Sequence, residues 1–227
     1  MSETKENNVI LFVDFDGTVT NHDVGDGIFS KFLRNDFQEQ GFHDKIIADW
    51  KAGIISSEQC LSEECANVVI TEEELHNELE KYTLTPGFVA ATEYCIENDI
   101  PITILSDGLD YYIEYILSKY GINNIPFISN HMYFKNGNMV IEFPFIDKGC
   151  GRCGNCKRWH MDMLKKDGDC VVYVGDGYSD RYAIKSADVV FAKHDLAEYC
   201  REKNHEFTPF QDFYPILKYL ENGNGKI

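Results

Sequence analysis

The sequence is short of positive charge. Lys and Arg total 21 against 38 Asp and Glu in 227 residues, a formal charge of −17. Nucleic-acid backbones are bound by clustered basic residues, so this balance argues against nucleic acid as a partner. It disfavours docking on an anionic lipid leaflet for the same reason. No apolar run comes near the roughly 20 residues that a membrane-spanning helix needs. Residues 1–8 are polar and lack the apolar core of a secretory signal, and the first apolar run, 9–13, leads straight into charged residues. These absences predict a cytoplasmic protein with no membrane association. No internal repeat or low-complexity stretch interrupts the chain.

What is present is enough to fold. Hydrophobic residues make up 44% and aromatics 13%, which suits a buried core rather than a disordered chain. The length allows one core domain plus a modest insertion. Of the eight cysteines, Cys60, Cys65, Cys95, Cys170 and Cys200 are scattered and read as small buried hydrophobes.

Four segments read as buried strands: 9–15, 102–105, 170–174 and 189–192, each apolar and rich in β-branched residues. Between the second and third, Leu109, Tyr112, Ile113, Ile116, Leu117 and Tyr120 follow helical spacing, and Gly121 supplies a stop. Alternating strands and helices predict an α/β fold, a Rossmann-like, mostly parallel sheet with helices on both faces. A hairpin is expected around Lys135-Asn136-Gly137-Asn138. Residues 20–86 break the rhythm. They offer no strand and two capping boxes, Ser56 with Gln59 and Thr71 with Glu74. They also hold 14 acidic and 5 basic residues, about half of the net charge. This segment is expected to be an inserted α-helical cap, leaving 1–19 and 87–227 as the core.

Three predicted strands end in residues that carry chemistry: Asp14-Phe15-Asp16-Gly17-Thr18, Ser106-Asp107-Gly108, and Gly175-Asp176-Gly177-Tyr178-Ser179-Asp180. In an open parallel sheet these ends meet at one edge, where ligands bind. Asp14, Asp16, Asp176 and Asp180 around one crevice repel one another unless a cation joins them. A hard divalent ion with oxygen ligands, Mg²⁺ first of all, answers that need. Paired carboxylates separated by one residue can divide nucleophilic attack and proton transfer between them. Together with an anion cradle, the set points to phosphoryl transfer.

These motifs, with a lysine between the second and third, resemble the haloacid-dehalogenase superfamily of phosphatases over nearly the whole chain. The cap between the first and second motifs is similar to that of the phosphoserine-phosphatase-like subgroup. The resemblance implies that Asp14 is the nucleophile and Asp16 the acid and base. It implies that Asp14, Asp16 (by its main-chain carbonyl) and Asp176 hold Mg²⁺, with Asp180 in support. Ser106, Gly108 and Lys157 would bind the phosphoryl oxygens, Lys148 being the rival lysine. Asp16-Gly17-Thr18-Val19-Thr20, Cys153-Gly154-Asn155-Cys156-Lys157 and the stretches 198–202 and 211–214 resemble the methionine-salvage 2-hydroxy-3-keto-5-methylthiopentenyl-1-phosphate phosphatase family. The phosphoethanolamine/phosphocholine phosphatases are a second resemblance, through Leu105-Ser106-Asp107 and Tyr173-Val174-Gly175-Asp176-Gly177.

The subgroup's phosphoserine enzymes carry a cap acid and a cap arginine. Here Asp23 stands near the acid, but Glu58, Glu63 and Glu64 occupy the region of the arginine, and Arg34 is the insert's one arginine. The expected substrate is therefore a small phosphorylated metabolite, a neutral keto-alkyl phosphate first, a cationic head group next and phosphoserine last. Asp23 and Asp107 are the candidate specificity residues. A phosphotransferase or mutase, and a non-catalytic module, are the rivals from other classes. Cys150, Cys153 and Cys156 have metal-ligand spacing but fall one short of the four ligands of a structural zinc. His160, His131 and Asp147 are candidate fourth ligands. Without zinc the loop is a glycine-rich turn with free or reversibly paired thiols.

Overall fold

A computed structural model describes residues 8–38 and 40–223. β1 (Val9–Val13) is buried along its whole length because it lies mid-sheet with helices on both faces. It pairs in parallel with β2 (Ile102–Leu109) on one side and β5 (Cys170–Gly175) on the other. β3 (Phe127–Lys135) and the antiparallel β4 (Asn138–Glu142) extend the sheet beyond β2, while β6 (Val189–Ala192) and β7 (Thr208–Pro209) extend it beyond β5. The order β4-β3-β2-β1-β5-β6-β7 changes direction at β1. A crevice opens at such a switch, beyond the carboxyl ends of the strands.

Strand alternation sorts the core into two layers. Leu11, Val13, Ile104 and Val174 pack with α6 (Phe88–Glu97), α7 (Asp110–Lys119) and α10 (Tyr214–Glu221). Ile10, Phe12, Leu105 and Tyr173 pack with α8 (Lys157–Leu164), the 3₁₀ turn Tyr178–Ser186 and α9 (His194–Lys203).

Several boundaries differ from the sequence-based expectation. β2 continues four residues beyond 105, because an irregularity between Leu105 and Leu109 shifts its pairing with β3 and carries Ser106–Gly108 along the edge of the crevice. The hairpin is tighter than a four-residue loop: Lys135 pairs with Asn138, so only Asn136 and Gly137 turn, both with positive φ. β7 is two residues long, too short to show a period.

Between Thr20 and Pro86 lie α1 (Val24–Phe32), α2 (Asn35–Gln38), α3 (Phe42–Lys51), α4 (Ser57–Asn67) and α5 (Glu72–Leu79). Both capping boxes form, Ser56 with Gln59 and Thr71 with Glu74. Strand-like pairing among the described residues here is confined to two isolated bridges, Thr20 with Leu84 and Leu33 with Val68. The first holds the outgoing and returning chains side by side. No helix among the described residues is long and apolar enough to cross a membrane.

Candidate active site

Asp14 follows β1 directly and is buried. Its Oδ1 accepts the Phe15 N–H at 2.7 Å and lies 2.5 Å from Lys157 Nζ. Its Oδ2 accepts no hydrogen bond from the described residues, and Asp14 lines a cavity of about 350 Å³. The chain then reverses over Phe15–Val19, and the Thr20 N–H returns to the Phe15 carbonyl at 3.1 Å. Gly17 has φ +70°, and a Cβ there would stand 2.5 Å from Asp176 Oδ2. Both the turn and the close approach therefore demand glycine.

The reversal sends Asp16 to the opposite wall. Its Oδ1 accepts the Val24 and Gly25 N–H groups of α1 at 3.2 and 3.3 Å. Its Oδ2 accepts the Ser106 hydroxyl at 3.2 Å and the Tyr112 hydroxyl at 2.9 Å. Burial raises its pKa against these donors. Gly108 is required beside it, since a Cβ would meet the Tyr112 hydroxyl and Asp16 Oδ2. The Gly108 N–H donates to Ser106 Oγ at 2.9 Å.

Lys157 opens α8 and is buried between two acids, 2.5 Å from Asp14 Oδ1 and 2.6 Å from Asp180 Oδ1. Burial favours its neutral form, but Asp14 and Asp180 outweigh this and hold its pKa above the usual lysine range. Lys148, the rival, is exposed and paired with Asp147. Asp180 accepts from Lys157 and the Tyr173 hydroxyl on one oxygen, and from the Asp176 and Gly177 N–H groups at 3.0 Å on the other. Four donors saturate this carboxylate, so it positions its neighbours. Asp176 accepts the Thr18 hydroxyl at 2.8 Å and faces His194 Nδ1 at 3.2 Å.

Carboxylate oxygens of Asp14, Asp176 and Asp180 converge within 4.8 Å of one another. Burial and then the charge of Asp180 raise the pKa values of Asp14 and Asp176. With Asp16, four carboxylates face one paired ammonium group, Lys157; burial lowers the pKa of Lys193, which follows β6, against the charge of Asp176 and Asp14. An all-oxygen set with surplus negative charge fits a hard divalent cation such as Mg²⁺. Asp14 and Asp176 are the members with lone pairs to spare.

The sequence matches the model of the haloacid dehalogenase-like hydrolase family over residues 11–185, well over half of the chain. The chain belongs to this family. Among curated relatives, the hydrolase is 29% identical over 216 residues to the 2-hydroxy-3-keto-5-methylthiopentenyl-1-phosphate phosphatase of Exiguobacterium sibiricum, covering 93% of this chain and 95% of that one. It is 28% identical over 220 residues to the protein of that name from Bacillus thuringiensis, with the same coverage. Among solved structures, a phospho-aspartyl intermediate analogue of phosphoserine phosphatase shares the fold, with TM-score 0.68, 20% identity, and 94% and 99% of the two chains covered.

The family hydrolase closes its cavity from the helical side. Phe29, Ile47 and Leu61 give an apolar wall, and Asp23, Asp26 and Glu64 an acidic one. No arginine lines it among the described residues; Lys51 does, but pairs with Asp195 at 2.6 Å. Arg34 is exposed beside Asp36. Asp23 caps α1 through Asp26 N–H at 2.8 Å. It keeps solvent access, yet enclosure by the protein, and then Asp16, raise its pKa. Asp107 also lines the cavity, but it is engaged there: its carboxylate accepts the Asn155 N–H at 2.8 Å, and Asn130 bonds its carbonyl at 2.7 Å. It ties the β2 end to the cysteine loop. His22 contributes only its carbonyl, to Gly17 and Thr20.

Sequence patterns missed a triad behind the acidic wall. His43 Nε2 bonds Asp26 Oδ1 at 2.9 Å, and His43 Nδ1 lies 3.2 Å from Glu64 Oε1, out of line for a hydrogen bond but close enough for an ion pair. The hydrogen bond to Asp26, then Glu64, raises the His43 pKa to about 10. Burial raises Glu64 despite His43, but the still higher His43 pKa keeps the proton on the imidazole, which two carboxylates hold. A folded-state pKa raised above the unfolded value of about 6.5 stabilises fully below that value and loses its effect as pH rises toward 10. Denaturant midpoints of the wild type should therefore fall between pH 6.5 and 10 by more than those of His43→Gln. Parallel curves for the two proteins would count against a charged His43.

In the cysteine loop, the three proposed fourth ligands have other partners. His160 Nε2 is 2.5 Å from Asn155 Oδ1, His131 Nδ1 is 2.5 Å from Asp110, and Asp147 pairs with Lys148. Lys193, Tyr112 and Tyr173 also stand at the site. Lys193 had one legible signal, its place just after the fourth core strand. Tyr112, like Tyr111, reads from its helical spacing either as core or as a pocket wall, and it does line the cavity; Tyr173 carries no signal, because its strand position reads as core.

Proposed function

We propose that this phosphatase hydrolyses a small phosphorylated metabolite through a phospho-aspartyl intermediate on Asp14, with residues 20–86 acting as a cap over a core of 1–19 and 87–227. The observation that carries the reading is Asp14 with one oxygen held by Phe15 and Lys157 and the other unengaged, across the crevice from Asp16.

Asp14 Oδ2 attacks phosphorus as the ester P–O bond breaks, and Asp16 gives its proton to the departing oxygen. In the second half, water attacks phosphorus and yields a proton to Asp16, which frees Asp14 and inorganic phosphate. Lys157, aimed by Asp180, holds the phosphoryl oxygens, joined by the Ser106 hydroxyl and the Gly108 N–H, which give up Asp16 Oδ2 and Ser106 Oγ when the phosphoryl group enters. Asp14, Asp176 and the Asp16 main chain would hold Mg²⁺, which when bound offsets the charge of the phosphoryl group and carboxylates. With Ser106 turned to the phosphoryl group, Asp16 Oδ2 keeps only the Tyr112 hydroxyl and can activate water, which favours hydrolysis over transfer to a second alcohol.

A cavity of about 350 Å³ suits a small metabolite. The apolar wall of Phe29, Ile47 and Leu61 accommodates an alkyl or thioether tail, and the likeness to the methionine-salvage phosphatases supports a keto-alkyl phosphate as lead substrate. Asp23, the acid of that wall which His43 does not hold, favours a second reading, a cationic head group such as phosphoethanolamine. A substrate carboxylate would be buried without a free cationic partner, which costs several kcal/mol.

The test is phosphate release from the keto-alkyl phosphate, phosphoethanolamine and phosphoserine. The expected order of kcat/KM is the order given, with activity lost on chelation and restored by Mg²⁺. Phosphoserine ahead by tenfold, about 1.4 kcal/mol, would overturn the reading of the cap. Phosphoethanolamine ahead, with Asp23→Asn erasing the preference, would install the second reading. Asn keeps the helix cap, so that variant isolates the charge.

A further inference from the structure

The loop between β4 and α8 places three thiols together that the proposed reaction does not use. The Sγ atoms of Cys150, Cys153 and Cys156 all lie within 4.8 Å of one another, and those of Cys150 and Cys153 are 3.3 Å apart. Cys156 is buried at the foot of α8, Cys153 is half-buried and Cys150 is exposed. The remaining five cysteines form no such group among the described residues. The loop folds back to close the cluster: Gly149 and Gly151 have φ +71° and +69°, and a Cβ on Gly149 would stand 2.6 Å from Cys156 Sγ.

We propose that Cys150, Cys153 and Cys156 bind one soft divalent ion of the zinc class as three thiolates, with the fourth coordination position open to the adjoining cavity. Three thiolates and an open position are within the coordination habits of zinc. That cavity, of about 420 Å³, is lined by all three cysteines and by Arg152 and Arg158. Three thiolates around a divalent ion leave one negative charge, which these arginines offset in an otherwise acidic chain. Binding displaces the thiol protons, so uptake weakens as pH falls.

The ion would fix a loop that touches three working parts. Arg152 donates to the Gly53 and Ile55 carbonyls of the helical segment at 2.6 and 3.2 Å, and its carbonyl accepts the Ser57 N–H at 3.0 Å. Asn155 donates to the Ser106 carbonyl at 2.7 Å. Lys157 is the residue after Cys156. Filling the site therefore ties the helical segment, the β2 end and the phosphate-binding lysine to one point.

The experiment uses the full chain, reduced with a phosphine, stripped of metal and kept in excess Mg²⁺ so that carboxylates are occupied. Zn²⁺ is titrated against a chromogenic chelator, and Co²⁺ is titrated separately for its thiolate charge-transfer absorption in the near ultraviolet. The expected result is one equivalent bound, a near-ultraviolet cobalt band, and affinity reduced more than about 100-fold in Cys153→Ser and Cys156→Ser. No band at saturating Co²⁺ in the wild type overturns the proposal, whatever the variants do. An unchanged band in both variants overturns it too. So does loss of two thiols on peroxide treatment in a reduced chain that takes up no metal, which would make the loop a disulfide switch. None of these outcomes depends on which phosphoester the enzyme hydrolyses.

Discussion

Asp14→Asn is expected to lower kcat by on the order of 10⁴-fold or more, the scale of losing a nucleophile, while the protein stays folded. The amide oxygen can still accept the Phe15 N–H that Asp14 Oδ1 accepts at 2.7 Å. Lys157 keeps its second partner, Asp180, at 2.6 Å. The substitution also removes one of three converging carboxylates, which relieves repulsion. Steady-state phosphate release and a thermal melt decide the matter. Release at a wild-type-like rate would sink the phospho-aspartyl mechanism, whatever the substrate.

Lys157→Met should damage both stability and activity. The lysine side chain is 4% exposed and Asp180 is fully buried, so the variant leaves two carboxylates facing each other without their cation. Breaking a buried pair in this way costs about 3–5 kcal/mol, a fall in melting temperature on the order of 10 °C for a chain of this size. The phosphoryl group also loses its fixed ammonium, so kcat/KM should fall by on the order of 10²-fold or more. Lys148→Met is the control. That lysine is exposed and pairs only with an exposed Asp147, and such pairs contribute little. A variant at Lys157 as stable and active as the one at Lys148 would remove Lys157 from the site.

Legibility varied with how local the cause was. The four core strands and α7 were readable because apolar periodicity is set by the sheet and helix repeats themselves. The capping boxes at Ser56 and Thr71 were readable because both partners lie within four residues. Asp14, Asp176 and Asp180 could be placed together because parallel strands bring their carboxyl ends to one edge. The extension of β2 to Leu109 was hidden, since Ser106-Asp107-Gly108 has turn-forming residues and pairs through an irregularity with β3.

By itself the sequence determined the α/β class and the gathering of its acidic strand ends, both consequences of short-range pattern and sheet order. What each of those residues touches was set by packing. It turned Asp16 away from Asp14 toward Tyr112 and α1, engaged Asp107 with Asn130 and Asn155, and brought Lys193 to the acidic cluster. It paired His43 with Asp26 and Glu64, and set Arg152 under the helical segment. Each of these is a contact between distant parts of the chain, chosen by burial and charge balance once the elements have packed, and neither quantity leaves a mark on the local order of residues.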